Sequence, residues 1–268
     1  MDVAVVTGAG RGLGAAVAER LARRGYAVLA TDVDGDAAHR TAERLGGAAW
    51  AAALDVRDAE ACRRVAVQAA TKGRLGVWVN NAGILRTEYV WEHSSDQVEQ
   101  MVGVNLLGVI HGSRAAIEAM GSGPGHILNI ASLSALGPVP GLAVYAATKS
   151  AVLSFTQSLA GDLGDSGSGV RPHAICPDAI DGDMVRERAG DMQGAVLWSA
   201  PRLLSVDAVA DRAVALLDST RVSVAIPRWR AVLIGLLGVS PRAMLRIAPA
   251  LKKVGDFNRR RWRGRTGA

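Results

Sequence analysis

Thr7-Gly8-Ala9-Gly10-Arg11-Gly12-Leu13-Gly14 stands directly after the apolar run Val3 to Val6 and opens a helical run, Ala15 to Arg24. Strand, glycine loop and helix in that order bring bare backbone amides to the positive end of a helix dipole, an arrangement that receives a pyrophosphate. Gly8, Arg11, Gly12, Leu13 and Gly14 are the expected contacts. Glycines alone would mark an ordinary tight turn; the flanking strand and helix supply the specificity. Asp32 ends the next apolar run, where an acid accepts hydrogen bonds from ribose hydroxyls and repels a 2′-phosphate. This favours NAD over NADP. Arg11 pulls the other way, since a basic loop side chain could meet such a phosphate, and a plain N-cap or loop role is the alternative for Asp32.

Outward from the loop, short apolar or β-branched runs alternate with longer helical stretches: Ala27 to Thr31, Ala48 to Leu54, Val77 to Val79, His126 to Ile130, Val170 to Ile175 and Val222 to Ile226. Such alternation predicts right-handed βαβ units and a Rossmann-type, doubly wound parallel α/β sheet. A chain of 268 residues with 49% apolar content suits one large core. The expected division is a dinucleotide-binding catalytic domain over 1–227 and an appended element over 228–268. Cys62 and Cys176 lack a C-x-x-C spacing or a matching set of histidines, which argues against disulfide scaffolds and zinc sites and for two buried thiols. Val3 to Val6 leads into glycines instead of a cleavage site, so a cytoplasmic location is expected. Ala231 to Val239 falls well short of the roughly 20 residues of a spanning helix.

Tyr145-Ala146-Ala147-Thr148-Lys149 places a phenol and an ammonium four residues apart, hence on one helix face. A phenol of ordinary pKa near 10 is a poor base at neutral pH, but a nearby Lys⁺ and an oxidised nicotinamide favour phenolate. Taken alone this spacing is usually a surface pair.

Together the glycine loop, Asn80-Asn81-Ala82-Gly83, Asn105, Ser132, and Tyr145 with Lys149 resemble the short-chain dehydrogenase/reductase family in order and spacing, over residues 2 to about 226. The resemblance implies a seven-stranded sheet and hydride transfer between NAD(H) and an alcohol or carbonyl. It implies that Ser132, 13 positions before Tyr145, binds the substrate oxygen, with neighbouring Ser134 expected to satisfy loop backbone instead. It implies that Tyr145 exchanges the proton, and that Lys149 grips the nicotinamide ribose and depresses the tyrosine pKa. Asn105 matches an asparagine that interrupts a helix and holds a water; its alternative is a polar residue on a helix face. Asn81, Ala82 and Gly83 match a turn along the adenosine side, and Asp55-Val56 an adenine contact. The resemblance further implies a homodimer or homotetramer. A non-catalytic dinucleotide-binding scaffold, and an epimerase or dehydratase on the same framework, are the alternatives.

Pro177-Asp178-Ala179-Ile180-Asp181-Gly182 departs from the family, replacing a glycine and a carboxamide-binding threonine. Pro177 and Ile180 keep their cofactor-side places. Asp178 can still adopt the left-handed backbone of the lost glycine, as Asp does more readily than most, and anchoring passes to backbone, Asp181 or Asp183. Between Asp183 and Ser205, Met184, Val185, Met192, Val196, Leu197, Trp198 and Leu203 make an apolar segment. It suits a lid over a hydrophobic alcohol or ketone, or simply a packed helix pair.

Residues 228–268 hold 11 of the 31 Lys and Arg but only Asp256 of the 25 acids, leaving 20 basic against 24 acidic side chains elsewhere. Only the tail is basic. Ser240-Pro241 predicts a helix start. Met244, Ile247, Ala248, Leu251 and Val254 then share one face, with Arg242, Arg246 and Lys253 opposite and Pro249 expected to kink the helix. The favoured reading is a helix packed on the body or a partner subunit. Peripheral contact with an anionic membrane comes second, because Trp229, Phe257 and Trp262 flank the basic residues, and nucleic acid comes last for want of a reading motif.

Overall fold

The computed structural model describes residues 1–238 and 240–266. In chain order its elements are β1 Asp2–Thr7, α1 Gly12–Arg23, β2 Ala27–Asp32, α2 Gly35–Leu45, β3 Trp50–Ala53, α3 Ala59–Ala70, β4 Arg74–Asn80, α4 Ser95–Val102, α5 Gly108–Met120, β5 Gly125–Ile130, α6 Ala143–Asp165, β6 Val170–Pro177, α7 Asp183–Arg186, α8 Val206–Ala215, β7 Ser223–Ile226, α9 Arg228–Gly238 and α10 Pro241–Thr266. All seven strands run parallel in the order β3-β2-β1-β4-β5-β6-β7.

A parallel sheet covered on both faces needs apolar residues pointing both ways, and the strands alternate accordingly. Val6, Val28, Val77 and Val79 face α1 and α8, meeting Val17, Leu21, Val209 and Ala213. Val3, Val5, Leu29 and Trp78 face α3 and α5, meeting Cys62, Val65, Ala115 and Ala116. In α1 the buried set Gly14, Val17, Ala18 and Leu21 follows the helical period. Two expected strand limits shift. The third strand keeps only Trp50–Ala53, and the fourth begins at Arg74, whose guanidinium pairs with Asp2 at the start of β1; a charged first residue hid that start from an apolar pattern.

Strand order reverses between β1 and β4, so the loops after both strands splay apart and open a crevice at their carboxyl ends. Gly8–Gly14 and Asn80–Gly83 lie on its two sides. Between α4 and α5, Gly103–Leu107 form one π-helical turn centred on Asn105, an irregularity that often marks a functional site. The tail continues the body: α9 follows β7 directly, and α10 runs through Pro249 without ending there. Val239 and the side chain of Met244 lie outside the described residues and side chains. Among the described residues no helix is long and apolar enough to cross a membrane, and no cluster of His, Cys, Asp or Glu is set to hold a metal. Cys62 and Cys176 are free and buried, and burial pushes both thiols up, to about 12 and about 11.

Candidate active site

Gly8 and Gly12 have φ of 64° and 55°, conformations that side chains strain against. At Gly14 a Cβ would fall 2.1 Å from the Gly8 carbonyl oxygen, so the loop closes on the start of α1 only with glycine there. The Asn81 side-chain amide donates to the carbonyls of Thr7 (2.9 Å) and Gly8 (3.0 Å), and the Thr7 hydroxyl accepts the N–H groups of Asn81 (3.0 Å) and Ala82 (3.1 Å). Asn81 therefore braces the loop from β4 and lines the crevice as it does so. Asp32 accepts the N–H of Gly10 (2.9 Å) and of Asp34 (3.1 Å). The Asp55 carboxylate is gripped by Arg57, which holds it below the usual carboxylate range.

One cavity of about 810 Å³ joins this end to the remaining candidates. Its wall includes Gly8, Arg11, Gly12, Leu13, Gly14, Asp32, Asp55, Val56, Asn81, Ala82 and Gly83, then Ser132, Tyr145, Lys149, Pro177 and Ile180. Asn105 lies behind the wall, fully buried. Its amide oxygen accepts the Ile84 N–H (2.8 Å) while its nitrogen donates to the Ile84 carbonyl (2.8 Å) and to Thr148 Oγ1 (3.4 Å). The π-turn thereby ties the strand β4 loop to helix α6, which carries Tyr145 and Lys149.

Lys149 donates to the Ile130 carbonyl (2.8 Å) and its Nζ lies 5.8 Å from the centre of the Tyr145 ring. Desolvation lowers its pKa to about 8. Desolvation also pushes the Tyr145 phenol up to about 12, with the hydrogen bond to Ser132 pulling the other way. Within the protein alone burial therefore outweighs the Ser132 hydrogen bond, whereas the expected depression involves Lys149 together with an oxidised nicotinamide.

Two further expectations change. The Ser134 hydroxyl, expected to satisfy loop backbone, is buried without a hydrogen-bond partner and belongs to the cavity wall; its own N–H donates to Ser132 Oγ (3.2 Å). Asp178 does not take a left-handed backbone, since among the described residues only glycines have positive φ. Instead its Oδ2 lies 3.1 Å from Arg230 Nε, and its Oδ1 accepts the Ala179 N–H (2.9 Å). Burial raises the Asp178 carboxyl and the Arg230 charge opposes that rise. Asp181 is engaged by Arg186 at 2.9 Å, and Arg11 reaches only to 4.0 Å from Glu187.

Arg230 leads to the part of the wall that sequence reasoning missed. Trp229, Leu233 and Ile234 of α9, and Ile247, Ala248, Leu251 and Lys252 of α10, line the same cavity as Ser132 and Tyr145. Periodicity identified the Ile247–Leu251 face but not its destination. Val254, assigned to that face, is exposed. Gly255 takes its place, so close to the turn Gln193–Trp198 that a Cβ would lie 1.9 Å from the Ala195 carbonyl oxygen. Asn258 then donates to the carbonyls of Trp198 (3.0 Å) and Ala200 (3.2 Å), and Trp262 packs on Trp198 with ring centres 6.1 Å apart. In the segment 183–205, Val185 and Trp198 are buried whereas Met192 is exposed.

Comparison with known proteins agrees with this geometry. The family model described as short chain dehydrogenase matches residues 2–193. The chain is 38% identical over 191 residues to a 1-deoxy-11-beta-hydroxypentalenate dehydrogenase of Streptomyces exfoliatus, covering 68% of this chain and 69% of that one. It is 38% identical over 184 residues to the meso-2,3-butanediol dehydrogenase of Serratia marcescens, covering 68% and 72%. An uncharacterized NAD-dependent oxidoreductase of Mycobacterium tuberculosis is 35% identical over 207 residues, covering 70% and 74%. A short-chain dehydrogenase/reductase from Burkholderia phymatum, solved in complex with NAD, superimposes with a TM-score of 0.80 at 28% identity, covering 87% of this chain and 91% of that one.

Proposed function

Because this chain belongs to the short-chain dehydrogenase/reductase family, we propose that it is an NAD(H)-dependent oxidoreductase interconverting a secondary alcohol and a carbonyl on an apolar substrate. The observation that carries this reading is one continuous cavity in which Ser132, Tyr145 and Lys149 follow directly on the glycine loop. The residues fit the cofactor. Gly8, Gly12 and Gly14 leave backbone bare at the start of α1, and each Asp32 oxygen keeps lone pairs for a ribose hydroxyl beyond the one N–H it accepts. An acid at that place disfavours a 2′-phosphate, and both the mycobacterial relative's name and the bacterial neighbour's ligand point to NAD.

When bound, nicotinamide accepts or supplies the hydride and in its oxidised form adds a positive charge. Ser132 and Tyr145 bracket the substrate oxygen. A phenol held near 12 by burial remains protonated at neutral pH and can donate to a carbonyl being reduced. The Ser132 hydrogen bond favours the phenolate needed to accept a proton from an alcohol. Lys149 would grip the nicotinamide ribose, and Asn105 is a positioning residue that holds α6 through Thr148 and Ile84. The apolar substrate follows from Val139, Leu142, Ile234, Ile247 and Leu251 on the wall, and two relatives are named as dehydrogenases of a hydroxypentalenate and a butanediol.

A panel of aliphatic, terpenoid and steroid alcohols assayed with NAD and NADP in parallel tests the reading. Turnover is expected with NAD on an apolar member. Tyr145→Phe is expected to lower kcat on the order of 10²–10⁴-fold while NADH still binds, as measured by fluorescence titration. Full turnover by that variant would remove Tyr145 from the mechanism.

A further inference from the structure

Trp229, Val232, Leu233 and Leu236 recur at the spacing of one helical face along α9, and they face solvent. Trp229 is 56%, Val232 62% and Leu236 70% exposed, far more than a helix packed into its own domain leaves open. Arg230, Ala231 and Ile234 are half-buried. Trp229 and Leu233 also line the catalytic cavity, so the exposed stripe runs into its mouth. At the start of α10 Leu245 is likewise exposed, as are Arg228, Arg242 and Arg246.

The charge around this stripe selects its occupant. From Arg228 to Gly255 the chain contains no Asp or Glu. A second copy docked face to face would set arginine against arginine over the same patch, and like charges opposed across an interface are unfavourable. A surface of anionic lipid headgroups supplies the missing negative charge at the rim and an acyl layer for the stripe. At 11 residues α9 spans about 16 Å, too short to cross a bilayer and long enough to lie in its plane.

We propose that α9 and the start of α10 form a membrane-docking surface that seats the cavity mouth on an anionic lipid bilayer. The Arg side chains engage headgroups while Trp229, Val232 and Leu236 enter the acyl boundary. Docking in this way requires neither turnover nor bound cofactor, so it stands or falls apart from the proposed reaction.

The test is flotation of the full-length protein with phosphatidylglycerol-containing vesicles and with pure phosphatidylcholine vesicles, at low and high salt. Binding at least tenfold stronger to the anionic vesicles and weakened by salt is expected. Val232→Glu with Leu236→Glu should abolish it, and Arg242→Gln or Arg246→Gln should each weaken it about fivefold. All are surface substitutions, and circular dichroism melts verify that the variants are folded. Equal binding to both vesicle types, or no binding to either, overturns the proposal. So does a dimer, seen by size exclusion, that Val232→Glu with Leu236→Glu dissociates while vesicle binding persists; that result makes the stripe a contact between copies.

Discussion

Lys149 is a buried cation, and the consequence is measurable as stability. Its pKa is near 8 in the folded protein against 10.5 for an ordinary lysine. Between these values the unfolded chain holds more protons than the native one, so this group makes stability rise with pH from about 8 to 10.5 and fall as pH drops back through 8. In urea unfolding, wild type is expected to gain roughly 3 kcal/mol over that window relative to Lys149→Met, which lacks the titrating group. Parallel curves for the two proteins would show that the lysine is solvated. Tyr145 and Lys149 could be paired from sequence because a four-residue spacing in a helix fixes a common face. Their titration could not be read there. It depends on how deeply α6 packs against β5 and the π-turn, and a string of residues does not state that depth. The 13-residue offset separated Ser132 from Ser134, but only the turn after β5 shows that Ser132 meets Tyr145 while Ser134 keeps an unsatisfied hydroxyl in the wall.

At the scale of elements, α10 shows where helical periodicity stops being informative. An ideal wheel places Val254 on the buried face, yet contact passes to Gly255 because bare backbone can approach the Ala195 carbonyl more closely than any side chain allows. Gly255→Ala is therefore expected to lever the helix away from the turn Gln193–Trp198. A loss of roughly 1–3 kcal/mol in urea unfolding should accompany it, together with faster limited proteolysis of the tail. Unchanged proteolysis would mean that α10 has room to adjust. The strands were easier to read. Runs buried on both faces stay apolar throughout, and the misses are at strand limits, in the shorter third strand and the charged lead-in at Arg74.

For the whole molecule, alternation of strand and helix was enough to indicate the doubly wound sheet, and the reversal between β1 and β4 places the crevice where the glycine loop stands. Sequence separated what the fold joins. Asp178 read as a departure at the nicotinamide end and the tail read as an appendage, while in space Arg230 of the tail closes on Asp178 and also donates to Ser199 Oγ at 2.9 Å. Removing one partner leaves the other charge poorly solvated. Arg230→Met is expected to cost roughly 3 kcal/mol, and adding Asp178→Gly should recover most of it. A four-protein cycle in urea would then give a coupling on the order of 1–3 kcal/mol; additivity of the two substitutions would contradict it. The pair also constrains how such a chain can change by descent. A chain shortened at Pro227 that kept Asp178 would hold an orphaned carboxylate in its cavity wall. By the same reasoning, loss of the tail is tolerated best where position 178 is uncharged, and an acid there is tolerated best where Arg230 stands against it.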